Sequence, residues 1–233
     1  MSELRGVIFD KDGTLFDFSK TWEAWAASLL RRLSQSQTQA AALARAVGFH
    51  LDQRRFDPDS IAIAGTPNEI ANALMVHLPD YSAGEIISII NEEASNAPQM
   101  EVVALRPFIN DLRQSGYLLG VVTNDAEQPA RAHLDAAGIT ALFDFVAGSD
   151  SGWGAKPEPG QLMACARAMA MDPREIVMVG DSTHDLIAAK RAGMRGIGVL
   201  TGMADAEVLL PHAEEVLPHI GHLPGWLRAQ SSA

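Results

Sequence analysis

Two aspartates one residue apart, Asp10 and Asp12, stand with Gly13 directly after the apolar run Val7-Ile8-Phe9. The run is short and β-favouring, as a buried parallel strand requires. In an open α/β sheet, ligands bind in the crevice beyond the carboxyl ends of the strands. Both carboxylates are therefore expected at the mouth of a site, on a turn that Gly13 allows to bend closely. Two carboxylates this close repel unless one is protonated or a cation sits between them. Hard oxygen ligands at the end of a rigid strand suit Mg²⁺, which takes one or two carboxylates and keeps several waters. The competing reading is an ordinary turn, because Asp and Gly are common turn residues.

Three further stretches carry polar groups beside apolar runs. Thr123 and Asn124 follow Val121-Val122, and Asp181 follows Val177-Met178-Val179-Gly180 with Asp185 four residues on. Lys156 lies between glycines and prolines in Gly152-Trp153-Gly154-Ala155-Lys156-Pro157-Glu158-Pro159. With Asp185 in the first turn of a helix, both acidic groups face one region, and a helix N-terminus favours negative charge. Singly, each has a structural reading: Thr123, Asn124 and Asp181 as helix caps, Lys156 as a solvated loop lysine. Jointly they place a nucleophile candidate, a hydroxyl donor, a cation and a second carboxylate set at one edge of one sheet.

The elements that must position these groups alternate. Strands are predicted over 117–122, 143–147, 176–179 and 196–200, and helices over 107–115, 127–137, 160–171 and 183–192, with Gly138 and Gly193 closing the second and fourth. This is the βαβ pattern of a doubly wound parallel sheet, an α/β Rossmann-like core to which the first strand belongs. No strand signal of similar quality appears between 18 and 100. There Ser19 is placed to cap a helix carrying Trp22, Trp25, Ala26, Leu29, Leu30 and Leu33 at three-to-four spacing, and a second helix covers 38–47 before Gly48. Thr66-Pro67-Asn68-Glu69 and Ser82-Ala83-Gly84-Glu85 are capping boxes that open two more. The region reads as a helical bundle of about four helices. Residues 1–17 and 101–233 then form the α/β core, and 18–100 a helical insert after the first strand.

Several residues take the plainer of two readings. Trp22 and Trp25 are expected in a core rather than as a substrate platform, and Cys165 as core filler. Asp52-Gln53-Arg54-Arg55-Phe56-Asp57 reads as a solvated connection rather than an anion site. Gly65-Thr66-Pro67 reads as a helix start rather than a substrate-facing loop. The tail beyond Pro224, ending Ser231-Ser232-Ala233, is expected to fray.

Composition narrows the partners. The chain has 233 residues, enough for a full core with an insert, and its apolar and charged content is that of an ordinary globular protein. A formal net charge of −11 argues against nucleic acid, whose phosphates demand a basic footprint. Small phosphorylated substrates stay open, since a bound metal inverts the local potential. A single cysteine permits no intramolecular disulfide. The N-terminal apolar run is too short for a signal peptide, and no apolar stretch approaches the roughly 20 residues of a membrane span. A soluble cytoplasmic protein with no membrane partner is expected; no oligomeric state is specified.

Asp10-Lys11-Asp12-Gly13-Thr14, then Thr123, then Lys156, then Gly180-Asp181 with Asp185, resemble in order the four motifs of the haloacid dehalogenase superfamily, in its aspartate-nucleophile phosphatase branch. The insert resembles the small α-helical cap of phosphoglycolate phosphatase-like and phosphoglucomutase-like members. The resemblance implies that Asp10 attacks phosphorus to form an aspartyl-phosphate, and that Asp12 protonates the leaving oxygen and then activates water. It implies Mg²⁺ held by the Asp10 side chain, the Asp12 backbone carbonyl and Asp181, with Asp185 acting through water or by orienting Lys156. Lys156, the Thr123 hydroxyl and backbone N–H groups near Gly13 and Asn124 would hold the phosphoryl oxygens. Dehalogenation is disfavoured, because dehalogenases of the family lack an aspartate at the position of Asp12. Lys11, where an apolar residue is usual, and Phe18, where a small one is commoner, depart from the pattern and bear on substrate rather than reaction; His184 is a bystander. The activity implied is hydrolysis of a small phosphorylated metabolite, with phosphoglycolate the first candidate. A sugar-phosphate mutase and a non-catalytic metabolite-binding protein are the alternatives.

Overall fold

A computed structural model of the protein describes residues 3–231. The chain opens with strand β1 (Gly6–Phe9), then leaves for helices α1 (Phe18–Leu33) and α2 (Gln37–Ala46), a hairpin of β2 (Phe49–His50) and β3 (Arg55–Phe56), and helices α3 (Ile61–Ala64), α4 (Pro67–Met75) and α5 (Ala83–Ser95). It returns through α6 (Leu105–Gln114), β4 (Leu118–Val122), α7 (Glu127–Ala136), β5 (Phe145–Ala147), α8 (Gly160–Ala168) and β6 (Ile176–Gly180). It closes with α9 (Thr183–Ala192), β7 (Arg195–Val199), α10 (Ala206–Leu209), β8 (Glu215–Leu217) and α11 (Leu223–Ser231).

Six strands make one parallel sheet in the order β5-β4-β1-β6-β7-β8. The chain crosses from one side of β1 to the other between β5 and β6. The crevice beyond the carboxyl ends of β4, β1 and β6 is therefore the switch point where such folds bind ligands. Strand alternation splits the core in two. Val7, Phe9, Leu119, Val121, Val177 and Val179 pack with α6 and α11 on one face, while Ile8, Val122 and Met178 meet α8 and α9 on the other. Each fully buried side chain of this kind contributes roughly 1.5–3 kcal/mol, so register is strongly specified.

Helices α1, α2, α4 and α5 and the β2–β3 hairpin enclose a third apolar cluster around Trp25, Leu29, Leu43, Phe56, Leu74 and Ile86. Both predicted capping boxes are present, Thr66 with Glu69 and Ser82 with Glu85, and Pro67 sits in the first turn of α4. The segments joining this bundle to the sheet pair with each other: Asp17 N–H donates to the Met100 carbonyl at 2.8 Å and Val102 N–H to that of Leu15 at 3.0 Å.

Three local expectations change, and one strand is added. Ser19 does not cap α1; the helix starts one residue earlier, with the Phe18 ring buried against Trp22 and Phe56. The bundle also holds the β2–β3 hairpin, because Phe49 and Phe56 bury their rings against each other across what reads in sequence as a solvated connection. Beyond residue 200 the chain adds β8, which extends the parallel sheet beside β7. The tail is helical: Leu223, Trp226 and Leu227, spaced three and four apart, are buried on the sheet as one stripe of α11. Ser232 and Ala233 lie outside the described residues. No described helix is long and apolar enough to cross a membrane.

Candidate active site

The predicted site residues converge at the carboxyl edge of β4, β1 and β6. Asp10 follows β1 directly, its N–H donating to the Val179 carbonyl at 2.9 Å as a last rung of the sheet. The chain then folds back on itself: Leu15 and Phe16 N–H both donate to the Lys11 carbonyl, at 2.9 and 3.1 Å. Gly13 permits this turn at φ 81°, in the left-handed region, and a Cβ there would collide with the Asp181 carboxylate. The Thr201 hydroxyl donates to the Gly13 carbonyl at 2.6 Å and pins the loop from the end of β7.

Lys156 is fully enclosed rather than solvated. Its Nζ lies 2.6 Å from Asp10 Oδ1, 2.6 Å from Asp185 Oδ1 and 3.1 Å from the Val122 carbonyl. Asn124 holds the lysine backbone at both ends, accepting from Lys156 N–H at 2.8 Å and donating to the Lys156 carbonyl at 2.9 Å. The same Asn124 amide donates to the Ala64 carbonyl at 2.7 Å, so it also ties the sheet edge to the helical bundle. Asp185 sits in the first turn of α9, where its other oxygen accepts from Ser182 N–H at 3.1 Å and Ser182 Oγ at 2.7 Å. Ser182, not Asp181, is the cap of that helix. Thr123 is buried, its hydroxyl accepting from Asp125 N–H at 3.1 Å.

The electrostatics are those of crowded carboxylates. Asp10, Asp181 and Asp185 bring oxygens within 4.8 Å of one another. Burial pushes the Asp10 carboxyl up to about 7 although Lys156 pulls it down, with Asp185 and Asp12 adding to the rise. Burial first, and then Asp10 and Asp185, hold Asp181 well above the ordinary carboxylate value. Lys156 is also shifted upward, which keeps it charged: burial alone would lower it, but Asp10 and Asp185 raise it. An acidic nest in which the available lysine is already engaged is suited to a further cation, and its hard oxygen donors fit a divalent metal.

Three participants were not assigned to the site from sequence. Lys11, expected only to flank it, is entirely buried and pairs with Asp12. Asp125 stands behind them, 3.2 Å from Lys11 Nζ, with burial pushing its carboxyl up to about 6. His133 on α7 lies 2.9 Å from Lys11 Nζ, and burial together with Lys11 pushes its imidazole down to about 4. The position of Asp125 at the end of β4 was the available signal; nothing local marked His133.

Above the carboxylates lies a small cavity. Its floor is Asp10, Asp12, Thr123, Lys156 and Asp181, and its roof is apolar, from Phe18, Trp22, Trp25, Ile63, Ile70 and Ile90. Trp22 and Trp25 thus serve both the bundle core and the cavity wall, and the cavity is also lined by Gly65, which closes α3, and by Pro67, which starts α4. His184 also lines it, and Trp22 Nε1 and His184 Nδ1 are buried with no hydrogen-bond partner among the described residues. Arg54 and Arg55 do not line it. Cys165, on α8, is buried against β4, where burial pushes its thiol up.

A sequence profile described as haloacid dehalogenase-like hydrolase matches residues 7–199. The chain is 30% identical over 212 residues to a protein named "Probable phosphatase IndB" from Dickeya dadantii, covering 91% of this chain and 87% of that one. It is 26% identical over 259 residues to the phosphoglycolate phosphatase of Salmonella paratyphi A, covering 95% and 94%. Among solved structures, a predicted phosphoglycolate phosphatase from Haemophilus somnus superposes with a TM-score of 0.73 at 19% identity, covering 97% of this chain and 98% of that one.

Proposed function

This chain belongs to the haloacid dehalogenase-like hydrolases and is a phosphatase of that family, and we propose that it is a cytoplasmic, Mg²⁺-dependent phosphomonoester hydrolase working through an aspartyl-phosphate on Asp10. The observation that carries the mechanism is the buried Lys156 ammonium, 2.6 Å from both Asp10 and Asp185 at the meeting of three strand ends. Asp10 is held from the sheet by its backbone and from the side by Lys156, so its carboxylate needs little reorganisation to attack phosphorus in line. Asp12 gives a proton to the departing oxygen, then takes one from the water that attacks the aspartyl-phosphate and releases phosphate. Lys156, the Thr123 hydroxyl and backbone N–H groups of the Gly13 and Asn124 turns offset charge on the phosphoryl oxygens. Asp10, Asp181 and the Asp12 carbonyl would hold Mg²⁺, with Asp185 orienting Lys156. When bound, the ion supplies charge compensation between the Asp10 carboxylate and the substrate phosphoryl group.

Residues 18–100 act in this reading as a cap that keeps bulk water from the reaction. Its contribution to the cavity is apolar, and Lys156, already paired, is the only lysine or arginine among the described lining residues. Phosphoglycolate carries a carboxylate for which this wall provides no cation. The wall supports instead a compact ester with an uncharged, apolar leaving group, and it gives the hydroxyls of a sugar-phosphate mutase substrate little to bind.

Phosphate release from a panel of small esters, including phosphoglycolate and phenylalkyl phosphates, tests the reading. The expected result is release that needs Mg²⁺, stops with EDTA, is lost in Asp10→Asn and is fastest for the uncharged esters. Faster turnover of phosphoglycolate would overturn the substrate class. No metal-dependent release from any ester would overturn the hydrolase itself.

A further inference from the structure

Lys11 is an ammonium with no exposure to water, a placement that costs free energy unless partners replace every lost hydration contact. Its partners come from four separate parts of the chain. Both oxygens of Asp12 lie within reach of Nζ, at 2.8 Å for Oδ1 and 2.7 Å for Oδ2. Asp125 Oδ2, at the end of β4, lies 3.2 Å away, and Asp125 Oδ1 is itself fixed by Ala126 N–H at 2.8 Å. His133 Nδ1, on α7, accepts from Nζ at 2.9 Å. The Trp22 ring of α1 covers the ammonium at 5.6 Å from its centroid.

The histidine fixes the direction of this chain of contacts. A lysine ammonium only donates, so Nδ1 facing it carries the lone pair and Nε2 carries the hydrogen. That hydrogen is donated to the Ala94 carbonyl in the last turn of α5, 2.7 Å away. The ammonium is therefore anchored from behind by the sheet edge and by a histidine bonded to the cap. Asp12 stands in front of it, facing the cavity.

We propose that Lys11 is a positioning residue for Asp12. Its clasp sets the orientation from which the Asp12 carboxyl exchanges a proton with the leaving oxygen, and Asp125 and His133 keep the clasp in place. The proposal rests on the hydrolase reading above. An apolar residue at position 11 would fill the same space without holding a carboxylate; buried ion pairs are in general no more stabilising than such filling, so their use lies in fixing geometry. General acid–base help contributes roughly 10²–10⁴-fold, and a misplacement of about 1 Å can forfeit a large part of such a contribution.

The test exploits the leaving group. p-Nitrophenolate departs without a proton, whereas an alkoxide needs one. kcat/KM, which reports transfer of the phosphoryl group to Asp10, is measured with Mg²⁺ for 2-phenylethyl phosphate and p-nitrophenyl phosphate. The proteins compared are wild type, Lys11→Met, Asp12→Asn and the double variant. Lys11→Met should lose roughly 10–100-fold on the alkyl ester and less than about threefold on the aryl ester. Added to Asp12→Asn, it should cost no more than about twofold further on the alkyl ester, because a residue acting through Asp12 has nothing left to act on. If Lys11→Met does not fold, Lys11→Met with Asp125→Asn removes one buried charge of each sign and is read in the same way. Equal losses on the two esters, an undiminished alkyl rate, or losses that multiply in the double variant would each overturn the proposal. A wild-type protein inert to both esters would overturn the hydrolase reading, and this proposal with it.

Discussion

Replacing Lys156 by methionine keeps most of the side-chain stem and removes the charge between two buried carboxylates. In the native protein Nζ is 2.6 Å from Asp10 and 2.6 Å from Asp185, and all three residues are shielded from solvent. Removing one partner of a buried pair costs about 3–5 kcal/mol, because the other charge is left uncompensated. For a chain of this length that lowers the melting temperature by roughly 6–20 °C. The loss must also depend on pH in a defined direction. Burial raises the folded-state value of Asp10 from 3.8 to about 7 even with Lys156 alongside, and without the lysine it rises further. A carboxyl shifted upward takes up a proton on folding between its unfolded and folded values. The stability so contributed is complete below the unfolded value and is lost as pH rises through the folded one. The variant should therefore be most deficient above about pH 8, and the deficit should shrink as pH falls through 7 towards about 5, where Asp10 is protonated with or without the lysine. Urea unfolding followed by tryptophan fluorescence, in EDTA at about pH 5.5 and about pH 8.5, measures both arms. Millimolar Mg²⁺ should restore part of the deficit at the higher pH, by binding the folded acidic cluster. A deficit of equal size at both pH values would refute the reasoning, since it would trace the loss to the methylene stem rather than to the charge.

Two further substitutions separate the site from its scaffold. A Cβ at Gly202 would overlap the Asp181 carboxylate, so Gly202→Ala should displace that group; the Mg²⁺ concentration for half-maximal phosphate release should rise about 10–100-fold, and an unchanged Mg²⁺ dependence would show that the Asp181 position does not matter to the ion. Trp226→Ala empties a buried site on α11 where the ring also lies 4.7 Å from the Arg195 guanidinium; chemical denaturation should show a loss of about 3–5 kcal/mol with kcat/KM per folded molecule unchanged, and a loss below about 1 kcal/mol would mean the helix is only loosely docked.

Much of the architecture was legible because its signals are local. Gly6–Phe9 reads as a strand from its apolar run, and Thr66 and Ser82 announce α4 and α5 because a capping box is complete within four residues. The C-terminal helix was missed for a different reason. Leu223, Trp226 and Leu227 form too short a stripe to stand out by period, and their burial depends on the sheet face they meet. The β2–β3 hairpin was hidden likewise, since its two rings bury only against each other and the bundle.

By itself, the sequence determined the order of strands and helices and the chemistry at the strand ends, for a polar residue directly after a buried strand has only the sheet edge to occupy. Which charges are paired there was decided by the tertiary structure. Lys156 looks like a loop lysine until Asn124 clamps its backbone and turns the ammonium between Asp10 and Asp185. Lys11 looks like a flanking residue until a histidine 122 positions away and a tryptophan from the inserted helices close over it. The energy of a charge depends on the water removed from around it, and that removal is done by segments far apart in the chain.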